Sequence, residues 1–183
     1  MIIIDNFIKD KNLLEQIARD NTFFNNNGKY FWYDGWWNQK PNTLKKKLIE
    51  QIWGENSPYD NVNIEGFEYW TGQLGEGLPY KELPIHIDKD EDAFAKNQNK
   101  IIAPIIGTVF YPVPMTIGGG DLKIFPDGKT KKPDVVRAKF NRLIIFPAGE
   151  HHHQVTSVHK GVRSAIAINL WEKKPSGNLL TEG

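Results

Sequence analysis

Apolar residues recur with period two through the second half of the chain and with helical spacing in two stretches of the first half, so strands should dominate and helices should precede them. The clearest strand is 162–171, where Arg163, Ala165, Ala167, Asn169 and Trp171 share one face and Ser164, Ile166, Ile168 and Leu170 the other. The Ile/Leu face is the one expected to pack. Val135–Lys139, Arg142–Phe146 and Leu122–Phe125 read as further strands, and 63–73 alternates Phe67, Tyr69 and Thr71 against Glu68 and Trp70. Residues 101–111 read as two short strands or one bulged strand, with Pro104 confining the first part to an edge or bend. Ile2–Ile4 should form a short buried strand. A helix capped by Asp10 or Asn12 should run to about Asp20 with Leu13, Leu14, Ile17 and Ala18 on one face. A second, opened by Pro41-Asn42-Thr43 and closed by Gly54, should span 44–53, with Lys45-Lys46-Lys47 as a solvated face.

Turn chemistry punctuates these elements at Asn25–Gly28, Asn56–Pro58, Gly118–Asp121, Pro126–Gly128, Asn141, Pro147–Gly149 and Lys160–Gly161. The glycine run at 118–120 reads as a hairpin turn, because no GxxxxGK pattern with a following helix makes it a phosphate loop. About seven or eight short strands after two helices predict a mainly β, α+β protein: a double-stranded β-helix (jelly roll, cupin-like) with amino-terminal helices packed on one sheet. The expectation is a single domain over 1–183 with 172–183 as a frayed tail.

Composition narrows the partners more than the chemistry. With 183 residues, 39% hydrophobic, 25% charged and a net charge of +1, the chain has no electrostatic bias towards nucleic acid or an anionic membrane. It has no cysteine, which removes disulfides, thiolate zinc sites and cysteine nucleophiles. No apolar run suits a signal segment or a membrane span, so a cytoplasmic protein without nucleic-acid or membrane partners is expected; its oligomeric state is not legible. Aromatics reach 12%, concentrated in Tyr30-Phe31-Trp32-Tyr33-Asp34-Gly35-Trp36-Trp37. Core packing is the first reading of that cluster, and a substrate-facing groove the second.

The chemistry-bearing stretch is His86-Ile87-Asp88. On an extended segment, residues two apart face the same way, so one metal ion can touch both the imidazole and the carboxylate. A third ligand from a distant strand would complete two imidazoles and one carboxylate, the facial set of non-haem Fe(II) oxygenases. The run His151-His152-His153 is the candidate source, with His151 and His153 able to face one side. Arg163 stands on a face opened by Ala165 and Ala167, and an arginine inside a barrel needs a carboxylate, either a fixed Asp or Glu or one brought by a ligand.

In order along the chain, His86-x-Asp88, Tyr111, Gly118-Gly119-Gly120-Asp121, Ile144-Ile145-Phe146-Pro147, His153-Gln154-Val155 and Gly161-Val162-Arg163-Ser164 resemble the iron(II)- and 2-oxoglutarate-dependent dioxygenases of the prolyl 4-hydroxylase type. The opening Ile3-Ile4-Asp5-Asn6-Phe7-Ile8 and the helix after it are similar to that family as well. The resemblance implies His86, Asp88 and His153 on Fe(II), with His153 chosen because the family's basic residue follows the distal histidine by about ten residues. It implies Arg163 and Tyr111 on the C5 carboxylate of 2-oxoglutarate, O2 as oxidant, ascorbate as a reductant, and hydroxylation of an unactivated C–H bond with release of succinate and CO2. The substrate implied is a prolyl or other residue of a protein or peptide, or a small molecule. His151 and His152 would lie beside the metal or at the surface, with Thr156 nearby. Two features depart from the pattern. Many relatives carry Trp six residues after the basic residue where this chain has Asn169, and Asp90-Glu91-Asp92 has no counterpart. Substrate would be expected near Trp32–Trp37 and the loop 72–84. A carbohydrate- or protein-binding jelly roll and a zinc hydrolase are the alternatives; the first leaves Arg163 without a purpose, and the second lacks a general base.

Overall fold

The computed structural model describes residues 1–25, 28–54, 57, 63–97 and 100–182. Asn26 and Asn27 of the first turn, and Asn56 and Pro58 of the second, lie outside the described residues. The elements are β1 (Ile2–Asp5), α1 (Lys11–Arg19), β2 (Phe31–Tyr33), α2 (Leu44–Trp53), β3 (Gly66–Gly75), β4 (Leu83–His86), α3 (Glu91–Lys96), β5 (Ile106–Phe110), β6 (Gly118–Gly119), β7 (Leu122–Phe125), β8 (Asp134–Val136), β9 (Arg142–Phe146), β10 (His152–Val155), β11 (Val158–Lys160) and β12 (Val162–Trp171). A six-stranded sheet of order β1-β9-β5-β12-β3-β2 faces a four-stranded sheet of order β4-β10-β7-β8, with β11-β6 as a small third sheet. This is the expected jelly roll.

Two cores explain why both faces of the large sheet differ from solvent. Helices α1 and α2 lay Leu13, Ile17, Leu48, Ile49 and Ile52 on one face, against Phe67, Tyr69, Ile166, Ile168 and Leu170. Each such side chain, fully buried, contributes roughly 1.5–3 kcal/mol. Ala18, expected on that face, is exposed because the apolar stripe ends at Ile17. Asp10 caps α1 by accepting from Leu13 N at 3.0 Å, and Thr43 caps α2 through Lys46 N at 3.3 Å. Between the sheets, Tyr111, Leu122, Ile124, Ile144, Phe146 and Val155 form the second core.

Several expectations need correction. Only Ile106–Phe110 of the stretch 101–111 is strand, and β1 is half-buried, with Ile3 exposed. Strand β3 runs to Gly75, so the loop begins later than Gly72. Gly118 and Gly119 form a short strand against β11 rather than a hairpin turn. The left-handed Gly120 (φ 75°) then leads to β7, and a Cβ there would meet the Arg163 side chain.

The tail and the lysines correct each other. Lys45 and Lys46 are buried, not solvated, and only Lys47 is exposed. Glu182 makes an ion pair with Lys45 Nζ at 2.6 Å, and its backbone carbonyl accepts from Lys46 Nζ at 2.5 Å. Its carboxylate also accepts from Tyr69 at 3.1 Å. Leu180 bridges β2, accepting from Trp32 N at 2.8 Å and donating to Tyr30 O at 3.0 Å. Thus 172–182 is docked rather than frayed. None of the helices among the described residues is long and apolar enough to cross a membrane.

Candidate active site

Strand pairing brings distant histidines together. Antiparallel β4 and β10 place His86 directly opposite His153, with ring centroids 4.3 Å apart. Asp88 follows β4, and its backbone N–H donates to Ala148 O at 2.9 Å. That approach depends on Gly107, where a Cβ would lie 2.3 Å from Ala148 Cβ. The carboxylate Oδ1 of Asp88 lies 3.4 Å from His86 Nε2 and 3.4 Å from His153 Nε2. Among the described residues, these three form the one group of candidate ligands whose atoms all lie within 4.8 Å of one another.

The donor set fits a metal ion. Both Nδ1 atoms are engaged by backbone carbonyls, His86 with Pro84 O at 2.7 Å and His153 with His151 O at 3.0 Å. A backbone carbonyl can only accept, so each Nδ1 carries the hydrogen and each neutral ring offers Nε2 as its lone pair. Two atoms bound at right angles to one ion stand about 3 Å apart, close to the spacings seen. Burial pushes the Asp88 carboxyl up, but contacts from His153 and His86 and a hydrogen bond from Asn169 outweigh it and hold the group well below the usual carboxylate range. For His86, burial acts downward, and the Asp88 carboxylate with Pro84 O more than reverses it. His151 is not among the grouped ligand atoms; its backbone carbonyl holds His153 Nδ1, and its own buried Nδ1 has no hydrogen-bond partner among the described residues. His152 lies next to β7 opposite Phe125, and Thr156 accepts from Asp121 N at 2.9 Å.

On one side of the centre, a cavity of about 630 Å³ runs between the sheets to Arg163, with Ala165 and Ala167 as its floor. Arg163 is 4% exposed. It donates from Nε to Gly120 O at 3.1 Å and from Nη2 to the Tyr111 hydroxyl at 3.0 Å. Among the described residues it makes no ion pair with Asp or Glu, so the fixed internal partner considered above is not the arrangement found. A buried guanidinium without a counter-charge is costly, and a ligand carboxylate entering the cavity would supply one.

On the other side, a recess of about 470 Å³ shares Tyr30, Trp70, His86, Asp88 and Asn169 with that cavity and opens between Glu68, the start of α3 and tail residues 175–179. Tyr30 and Trp70 meet edge to face at 5.0 Å. Most of the aromatic cluster packs into or against the core. Trp32 and Tyr33 are buried, Trp36 stacks on Phe67, and Trp37 lies at the surface beside it, so the groove reading of 32–37 is not what forms. Of the loop segment, Leu78, Pro79 and Tyr80 do reach the inner cavity.

Three features escaped the sequence. Asn169, standing where many relatives have Trp, donates from Nδ2 to Asp88 Oδ2 at 3.0 Å and to Glu68 Oε2 at 3.3 Å. Trp171 Nε1 donates to the same Glu68 oxygen at 2.9 Å. Burial pushes Glu68 up to about 7, against these hydrogen bonds and with help from the Asp88 and Asp90 charges. The unexplained Asp90-Glu91-Asp92 is the start of α3: Asp90 accepts from Ala93 N at 2.9 Å and from Ser176 N at 2.6 Å, and the other two acids sit in the first turn. An Asp cap followed by two acids was the readable signal for that helix.

The fold is shared with prolyl hydroxylases. A prolyl-4-hydroxylase from Pseudomonas putida superposes with a TM-score of 0.59 at 17% identity, over 94% of this chain and 88% of that one. A Trichoplax adhaerens prolyl hydroxylase, solved with a hypoxia inducible factor oxygen degradation domain peptide fragment, gives 0.54 at 17%, over 97% and 87%. The viral collagen prolyl hydroxylase of Paramecium Bursaria Chlorella virus-1, in its 2OG complex, gives 0.54 at 16%, over 94% and 96%. A search of curated proteins gives no significant match. The profile of the 2OG-Fe(II) oxygenase superfamily matches residues 78–171, just over half the chain, from the loop before β4 to the end of β12. The chain belongs to the 2OG-Fe(II) oxygenase superfamily and is a 2-oxoglutarate-dependent dioxygenase.

Proposed function

We propose that the protein hydroxylates an unactivated C–H bond of a peptide or protein, a prolyl residue being the first candidate, with release of succinate and CO2. In this reading His86, Asp88 and His153 hold Fe(II). Arg163 takes the C5 carboxylate of 2-oxoglutarate, and Tyr111 adds its hydroxyl. When bound, iron and cosubstrate supply the oxidising chemistry, with O2 as oxidant and ascorbate as a reductant of iron between turnovers.

The chain's own residues supply direction and exclusion. Arg163, held in place by its hydrogen bond to the buried Tyr111 hydroxyl, anchors an acid at its end of the inner cavity, which orients the acid's other end towards His86 and Asp88. Asn169 holds one oxygen of Asp88 so that the other faces both imidazoles. The apolar walls formed by Leu122, Phe146 and Val155 keep water from the reacting centre.

The observation that carries this reading is the position of the His–Asp–His group between two spaces, one reaching an arginine that has no counter-charge among the described residues and one lined by Glu68, the start of α3 and the tail. A peptide substrate is favoured by the Trichoplax adhaerens relative, which was solved with a peptide. The test is incubation with Fe(II), 2-oxoglutarate, ascorbate and a proline-containing peptide library in air. Gain of one oxygen atom on a peptide, stoichiometric with succinate, is expected. Succinate formation with no peptide oxidised would exclude the peptide substrate.

A further inference from the structure

The outer recess has a chemical character of its own, and one side chain sets it. Of its other acids, Asp90 is held by Ser176 and by the first turn of α3, Glu91 takes Lys89 Nζ at 2.7 Å, and Asp92 is exposed to solvent in the first turn of α3. Lys89 also lies 4.8 Å from the Phe94 ring, which engages the one lysine lining the recess. Glu68 differs. Both of its donors, Trp171 Nε1 and Asn169 Nδ2, go to Oε2, so Oε1 has neither a hydrogen bond nor a cation among the described residues. It stands on the same face of β3 as Trp70, whose ring meets Tyr30, and all three line the recess that His86 and Asp88 border.

A half-buried carboxylate with an open oxygen, beside two aromatic rings, is a receptor for a positive group: the carboxylate gives the charge-assisted hydrogen bond and the rings attract the cation. We propose that this recess is the substrate subsite and that Glu68, with Trp70 and Tyr30, takes an ammonium or guanidinium group of the substrate. The molecule hydroxylated therefore carries a basic group close to its target carbon. In a peptide this is a lysyl or arginyl side chain at or next to the hydroxylated residue. The inference rests on the reading of His86, Asp88 and His153 as the iron site.

The test is calorimetric titration of the full chain, first metal-free and then anaerobically loaded with Fe(II) and 2-oxoglutarate. The probes are the N-acetyl methylamides of lysine and arginine, their neutral counterparts norleucine and citrulline, and free lysine and arginine. Cationic probes should bind saturably and neutral ones at least about tenfold more weakly; Glu68→Gln, which still offers an oxygen to Trp171 and Asn169, should weaken the cations by about tenfold or more. Trp70→Leu should weaken them too and serves if the first variant misfolds. Capped probes binding as well as free ones would place the basic group in a polypeptide, and free amino acids alone would place it in a small molecule. Equal binding of neutral and cationic probes, no binding of cations, or cation binding unchanged by both variants would overturn the proposal. If cations bind as expected but no iron–2-oxoglutarate complex forms on the wild-type chain, the iron reading fails and the cation site stands.

Discussion

Strand β12 carries two different proteins on its two faces. Outward, Ile166, Ile168 and Leu170 are at most 1% exposed and pack against α1 and α2. Inward, Arg163, Ala165, Ala167 and Asn169 leave a cavity, with a guanidinium near one end and an amide on Asp88 near the other. The first face is filled and apolar; the second is hollow and polar. Stability and chemistry are thus separated by a period of two, and a one-residue slip in register would exchange them.

That separation predicts which substitutions cost activity and which cost folding. The largest effect is expected from Asp88→Ala: iron-dependent succinate formation should vanish while circular dichroism stays native, and turnover surviving in this variant would remove Asp88 from the ligand set. His153→Ala should lose iron in the same way and His151→Ala should keep it, as equilibrium dialysis would show; loss only in the latter would exchange their roles. Next is Arg163→Met. Losing one partner of a buried charge pair costs about 2–5 kcal/mol, so half-saturation by 2-oxoglutarate should rise by roughly 30-fold or more, and an unchanged dependence would make the arginine structural.

On the outward face, Ile168→Ala should cost about 2–5 kcal/mol in denaturant unfolding and leave the 2-oxoglutarate requirement unaltered. A shift in that requirement without loss of stability would break the comparison. The smallest effect is Glu182→Ala, which unpairs Lys45 while Lys46 keeps the backbone carbonyl; about 1–2 kcal/mol is expected from the same unfolding experiment.

What the sequence made legible follows the range of the interactions involved. Strands β9 and β12 and helix α2 are set by local alternation, spacing and caps, and their predicted ends match those seen. The convergence of His86 and His153 is of longer range, yet motif order along the chain anticipated it. The burial of Lys45 and Lys46 was not legible, because a lysine run is locally a solvated face until Glu182, more than a hundred residues away, supplies its partner. Asn169 and Glu68 escaped for a related reason. Asn169 stood out only as a departure from the family pattern and Glu68 as an ordinary polar residue on a strand, and the hydrogen bonds linking them to Asp88 and Trp171 exist only once β3 and β12 pair.

The central claim is that the hollow face of β12 and the His–Asp–His group together hold iron chelated by a 2-oxo acid. Anaerobic titration of the metal-free protein with Fe(II) and then 2-oxoglutarate, followed in the visible, addresses it most directly. A weak charge-transfer band should appear only when both are present, be absent in Asp88→Ala, and require much more 2-oxoglutarate in Arg163→Met. A folded, iron-loaded wild-type protein that develops no such band on saturation with 2-oxoglutarate would contradict the account.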